Sequence, residues 1–213
     1  NNYKFMKQKI GIINYNIGNI GSVKRSLNYL NANYIIVNNE KELKKCDKII
    51  LPGVGSFDFS MKILKKKRLD VAIKEFFKQG KNILAICLGM QLLLTESEEF
   101  EKKRGLNILS GKVENLKKFN LNLPVPHIGW CKIKKNKMLN SNENFEKSLS
   151  NKYYYFAHSL ICNFNKNYKF TKFSYGKKNF VSSVRYKNLI GTQFHPELSG
   201  LSGLNIYKFF LDK

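Results

Sequence analysis

The chain has 213 residues, 43% hydrophobic and 13% aromatic, enough to bury one sizeable core, so a single domain spanning 1–213 is expected and a disordered or fibrous chain is excluded. The 38 Lys+Arg outnumber the 15 Asp+Glu for a net charge of +23, a balance that taken alone suggests nucleic acid or an anionic surface. The basic residues are dispersed, however, as an AT-rich genome would disperse them. The densest runs, Lys65–Arg68 and Lys134–Lys137, are short and lack interleaved aromatics for base stacking, so no nucleic-acid partner is expected.

No apolar run approaches the roughly 18–20 residues of a membrane span, and no apolar segment of a signal peptide follows the first lysines. The expectation is a soluble cytoplasmic chain with no membrane partner, residues 1–5 reading as an extension ahead of Met6. Cys46, Cys87, Cys131 and Cys162 are far apart without a C-x-x-C pair, which argues against zinc, a redox pair or a disulfide framework.

In chain order, Lys9–Asn14 is a β-branched apolar run ending in a turn through Gly18 and Gly21. Val23, Leu27 and Leu30 then recur at helical spacing, with Ser22 as the expected cap. Strands follow at Tyr34–Val37, Lys48–Leu51 and Asn82–Ile86, separated by helical patterns at Glu40–Lys45, Met61–Leu64 and Val71–Phe77. Leu88–Thr95 reads as a helix directly after the last of these strands. This alternation predicts an α/β fold with a mostly parallel sheet flanked by helices. The second half reads as strands at Gly111–Leu116, Ile128–Ile133, Tyr153–Phe156, Phe170–Tyr175, Phe180–Tyr186 and Leu189–Thr192. It predicts an added antiparallel portion, closed by a helix at Leu201–Leu211.

The chemistry concentrates at Ala85-Ile86-Cys87-Leu88-Gly89, where a buried strand turns into a helix. Small residues two before and two after a nucleophile suit a tight strand–turn–helix elbow, and a helix N-terminus favours thiolate over thiol. Without that frame, Cys87 would read as a buried structural cysteine. A base is available at His195, in Gln193-Phe194-His195-Pro196-Glu197, where Glu197 can orient the imidazole. Leu51-Pro52-Gly53-Val54-Gly55, after the third strand, is either an ordinary glycine turn or an oxyanion loop whose amides act with that of Leu88. His127 and His158 read as packed or hydrogen-bonded structural histidines. No histidine pair has metal-ligand spacing, and Asn16–Gly21 lacks the G-x-G-x-x-G pattern of a dinucleotide loop. No metal and no cofactor are expected.

On these residues the chain resembles the class I (triad) glutamine amidotransferases, and within them the glutaminase subunits of imidazole glycerol phosphate synthase. The resemblance spans Lys9 to Leu211 and rests on Ile10–Val23, Leu51–Phe57, Ile86–Leu93, Pro126–Trp130, Tyr154–Ser159 and Gly191–Glu197. It implies a flavodoxin-like α/β fold, with Cys87 as nucleophile, His195 as acid/base and Glu197 as its orienter. It also implies oxyanion amides from Gly53 and Leu88, and binding of the substrate L-glutamine by Gln91, Glu99 and the Ser159 region. The implied partner is a (β/α)₈ cyclase subunit, in a heterodimer that makes imidazole glycerol phosphate and AICAR for histidine biosynthesis.

The chain departs from the family pattern at Asn14, Asn16, Ala85, Cys131, Leu160 and Leu198. Leu198 stands where a lysine facing the synthase is usual, which keeps open a paralogue supplying ammonia to a sugar amidotransferase of surface-glycan synthesis. A catalytically silent regulatory subunit is the third reading. The presence of Cys87, His195 and Glu197 together argues against it.

Overall fold

A computed structural model describes residues 8–16, 18–134, 144–166 and 168–213. The proposed extension at 1–5 lies outside them. The described chain first alternates: β1 (Ile10–Ile13), α1 (Ile20–Tyr29), β2 (Tyr34–Val37), α2 (Glu40–Lys44), β3 (Lys48–Leu51), α3 (Phe57–Lys66), α4 (Leu69–Lys78), β4 (Asn82–Ile86) and α5 (Leu88–Leu92). It then turns strand-rich: β5 (Leu94–Ser97), β6 (Lys103–Arg104), β7 (Leu109–Asn115), β8 (His127–Lys134), α6 (Asn144–Leu149), β9 (Tyr153–His158), β10 (Leu160–Phe164), β11 (Lys169–Tyr175), β12 (Lys178–Tyr186) and β13 (Leu189–Thr192). The last helix is α7 (Gly200–Asp212).

Nine strands form one sheet in the order β2-β1-β3-β4-β13-β12-β11-β8-β9. The pairs from β2 through to β13 are parallel, and those from β13 to β9 antiparallel. A second sheet, β10-β7-β5-β6, flanks it. The fold is thus α/β with an antiparallel extension, as expected from the sequence.

The period of two along each parallel strand splits the core into two layers. Ile10, Ile12, Ile50, Leu84 and Ile86 pack with Val23 and Leu27 of α1 and with Ile206 and Phe210 of α7. Ile13, Ile49, Leu51, Ile83 and Ala85 pack on the other face with Leu43, Leu64 and Ile73 of α2, α3 and α4. Both faces are covered, which is why these strands read as continuous apolar runs. One lysine breaks the run: Lys48 is buried, and its Nζ donates to the carbonyls of Phe210 (3.1 Å) and Leu211 (2.6 Å) at the end of α7. A cation there satisfies acceptors that have no partner within the helix.

Two expectations are corrected, and three elements are added. The cap of α1 is Asn19, whose side chain accepts from the Ser22 amide at 3.2 Å, so the helix begins at Ile20 and not after Ser22. The helix expected over Leu88–Thr95 ends at Leu92. Leu94–Ser97 is instead drawn into strand β5 by parallel pairing with β7, a tertiary contact that overrides the local leucine run. β10, β6 and α6 were not anticipated from the local pattern.

Candidate active site

The site forms where β3, β4 and β13 end side by side at the carboxyl edge of the parallel sheet. Cys87 follows β4 directly, at φ 50° and ψ −108°, a backbone conformation strained for any residue with a Cβ. The strain is imposed from both sides. The Cys87 amide donates to the Thr192 carbonyl at 2.7 Å, and α5 starts at the next residue. Gly89 fits against β3 so closely that a Cβ would overlap the Leu51 carbonyl oxygen and lie 2.9 Å from its carbon. α5 is only five residues long, so its dipole can add little at the sulfur.

The first neighbour is His195. Its Nδ1 donates to Glu197 Oε1 at 2.8 Å, and both side chains are buried. A carboxylate only accepts, so the proton is on Nδ1 and Nε2 is the nitrogen left for Cys87. That Nε2 is buried without a hydrogen-bond partner of its own, as is Glu197 Oε2. Burial disfavours the imidazolium, but the Cys87 sulfur and then the Glu197 carboxylate outweigh it and push His195 up to about 11. The His195 backbone is clamped: its amide donates to Tyr155 O (2.9 Å) on β9, and its carbonyl accepts from Ser199 Oγ (2.6 Å). Gly203 lets α7 press onto this turn, since a Cβ there would overlap the Pro196 carbonyl oxygen.

The oxyanion pair inferred from sequence is not arranged as two donors. The Leu88 amide points at the Gly53 carbonyl oxygen, 3.4 Å away, so Gly53 offers an acceptor where a donor was expected. The Gly53 N–H is fixed separately: it lies in the peptide whose Pro52 carbonyl is held by the hydroxyl of buried Tyr15, and in a planar trans peptide it points opposite to that carbonyl. There is no room for a side chain at Gly53: a Cβ there would come 2.8 Å from Leu88 Cβ and 2.9 Å from the Gly89 nitrogen.

Cys87, Leu88, Gln91, Glu99 and Ser159 line one cleft of about 310 Å³, with Val54, Pro126 and Ile128 among its other walls. The structure therefore brings together the residues the sequence reading assigned to substrate. Glu99 lies at the N-terminus of α3, where its Oε2 accepts from the Phe57 amide at 2.8 Å. The Gln91 side chain is buried, and its Nε2 donates to the Leu160 carbonyl at 3.2 Å. Ser159 gives its carbonyl to the Leu116 amide at 2.8 Å. Sequence reasoning missed Tyr15, Gln193 and Gly203. Gln193 and Tyr15 stand inside the quoted motif blocks, but nothing in their identity marks them as facing the site.

His127 and His158 are structural, as their sequence context suggests, and they form a directed chain. His158 Nδ1 donates to Leu160 O (2.8 Å), so its Nε2 accepts from His127 Nδ1 (3.1 Å), and His127 Nε2 accepts from the Cys131 thiol (3.3 Å). Burial pushes His127 down to about 4 and His158, also facing His127, down to about 3. An unfolded chain titrates both near 6.5 and therefore binds more protons than the folded one below that pH. Stability should fall on acidification from pH 6.5 to 5, by on the order of 1 kcal/mol per unit for each histidine. His195 works against this: it stays protonated in the folded chain but titrates near 6.5 in the unfolded one, so acidification through pH 6.5 adds stability from that group, and most of its effect lies above the window. Urea midpoints at pH 6.5 and 5 check this, and equal midpoints would contradict it.

Among the described residues no cluster of three or more His, Cys, Asp or Glu could hold a metal ion, and no helix is long and apolar enough to cross a membrane.

Comparison with known proteins places this geometry. The family model for class-I glutamine amidotransferases matches residues 12–212. The imidazole glycerol phosphate synthase subunit HisH 2 of Vibrio vulnificus (strain YJ016) is 41% identical over 208 residues, covering 96% of this chain and 94% of the relative. The HisH subunit of Cyanidium caldarium is 40% identical over 214 residues, covering 96% and 98%. A crystal structure of a glutamine amidotransferase superposes with a TM-score of 0.73 at 16% identity, covering 95% of this chain and 97% of that one, a likeness of fold. The chain therefore belongs to the class-I glutamine amidotransferases, within the HisH family of imidazole glycerol phosphate synthase subunits.

Proposed function

We propose that this chain, as one amidotransferase domain, hydrolyses glutamine with Cys87, His195 and Glu197 and passes the ammonia to a cyclase subunit of (β/α)₈ fold in the cytoplasm. The observation that carries the reading is the buried Glu197–His195 pair beside a strained cysteine, in a chain about 40% identical to HisH subunits along nearly its whole length. The Cys87 sulfur attacks the carbon of the substrate's side-chain amide while its electrons move to the oxygen. His195 gives its Nε2 proton to the departing nitrogen, which leaves as ammonia, and a glutamyl thioester remains. Water, relieved of a proton by His195, then attacks the thioester and releases glutamate and the sulfur.

The developing oxyanion needs the Leu88 amide, so the Gly53 carbonyl that now accepts from it must turn away before that donor is free. The partner's docking face is read from exposed apolar side chains around the cleft. Val54 and Ile128 stand at its mouth, Trp130 continues the exposed face of β8, and Leu198 follows the His195 turn. Leu198 in place of the usual lysine makes this face more apolar than the family pattern. That departure, together with Leu160, is what supports the second reading, a paralogue serving a sugar amidotransferase.

The test is glutamate release by the purified chain, alone and with the imidazole glycerol phosphate synthase cyclase subunit and its ribonucleotide. Stimulation of about 5–150-fold is expected, the range of a coupling of 1–3 kcal/mol between sites. Glutaminase activity that the cyclase leaves unchanged would move the assignment to the paralogue.

A further inference from the structure

Gln193 is the residue immediately after β13, fully buried, with its amide donating to Ser182 O at 2.8 Å. Its side chain ends against the nucleophile: Nε2 lies 3.6 Å from Cys87 Sγ. The orientation of this amide follows from its neighbours. The Leu160 carbonyl can only accept, so the Gln91 atom 3.2 Å from it is Nε2. The second hydrogen of that nitrogen meets Gln193 Oε1 at 3.4 Å, which turns the Gln193 Nε2 hydrogens toward the sulfur. The same Leu160 carbonyl accepts from His158 Nδ1, so the anchor is held from both sides.

We propose that Gln193 is a further catalytic residue, whose Nε2–H donates to the Cys87 sulfur and holds it in its anionic, attacking form. This rests on Cys87 being the nucleophile of the proposed reaction. A buried N–H aimed at a sulfur stabilises the thiolate more than the thiol, because the charge-assisted bond is the stronger. The other titratable groups facing the sulfur are His195 from the β13 turn, Tyr15 after β1 and Cys162 on β10. Burial pushes both Tyr15 and Cys162 up, so they stay neutral. His195 supplies the opposite charge and Gln193 the only neutral side-chain donor given to the sulfur among the described residues.

The test is the rate of Cys87 alkylation by iodoacetamide, in which the thiolate displaces iodide, followed by mass at pH 7.0 and pH 9.5 in the full chain. Gln193→Met keeps the length and bulk but removes the donor. It should alkylate about tenfold more slowly than the wild type at pH 7.0 and at nearly the same rate at pH 9.5. A merely structural role would slow both or neither. Equal rates at both pH values in the folded variant would overturn the proposal while leaving Cys87 as nucleophile. A wild-type Cys87 no more reactive at pH 7.0 than the free amino acid would overturn both readings. If Gln193→Met does not fold, the wild type still decides. Its Gln193 side-chain amide protons should shift in the NMR spectrum on alkylation of Cys87, and unmoved signals would overturn the inference.

Discussion

Cys87→Ala is expected to lower glutamine hydrolysis by roughly 10⁴-fold or more, with the chain still folded. His195 and Glu197 remain paired in that variant, but neither can form the thioester, and water must attack the amide unaided. The same position should reverse a general rule of stability. Alanine normally exceeds glycine by about 0.5–1 kcal/mol in regular structure. At φ 50° and ψ −108° a Cβ is strained, so Cys87→Gly should be more stable than Cys87→Ala by about 1–2 kcal/mol. Urea unfolding of the two variants checks this. The wild type would then be an instance of stability given up for the aim of one sulfur atom. If Cys87→Ala retains activity in the presence of the cyclase, the nucleophile lies elsewhere.

Gly89→Ala is expected to have the second-largest effect. Its added methyl would fall on the Leu51 carbonyl oxygen, part of the buried strand β3, and neither backbone can retreat without breaking the β3–β4 pairing. Overpacking against flexible side chains costs about 1–3 kcal/mol, and a clash with backbone belongs at or above the top of that range. Loss of at least about 3 kcal/mol in urea unfolding is expected, together with loss of glutaminase activity. Ala85→Gly, on the other side of the elbow, is the contrast. Its side chain is buried but lies in ordinary strand geometry, so the change should cost only about 1 kcal/mol and leave activity within a few-fold. A Gly89→Ala variant as stable as the wild type would show that the elbow can relax.

These outcomes also mark what could be read from residues alone. β2, β3 and β4 are found at the bounds their apolar runs predict; β3 and β4 are central strands buried on both faces, and β2 is a half-buried edge strand bounded by Asn33 and Asn38. β5 and β6 have no such run: Leu-Thr-Glu-Ser becomes a strand by pairing with β7, and Lys-Arg by pairing with β5. At the site, Cys87, His195 and Glu197 could be singled out because thiol, imidazole and carboxylate have few other uses at such spacings. Gln193 could not, since a buried glutamine and an exposed one look alike in sequence. The orientation of the Gly53 peptide was equally hidden. It depends on two backbone angles that a glycine leaves open, and not on which residue stands there.

The position of β13 in the sheet has a consequence for how the protein comes into being. It enters between β4 and β12, and only then do Gln193 and Cys87, 106 residues apart in the chain, come together. Synthesis runs from the N-terminus, so a ribosome-bound chain that already carries the cysteine elbow still lacks the imidazole, its carboxylate and the helix that presses on them. The pairing that completes the site is also among the most non-local in the fold, and such contacts form late. If Cys87, His195 and Glu197 act as proposed, ammonia release would be withheld from every incomplete copy: chains that stall, or lose their last strand to proteolysis, would keep the cysteine but could not consume glutamine.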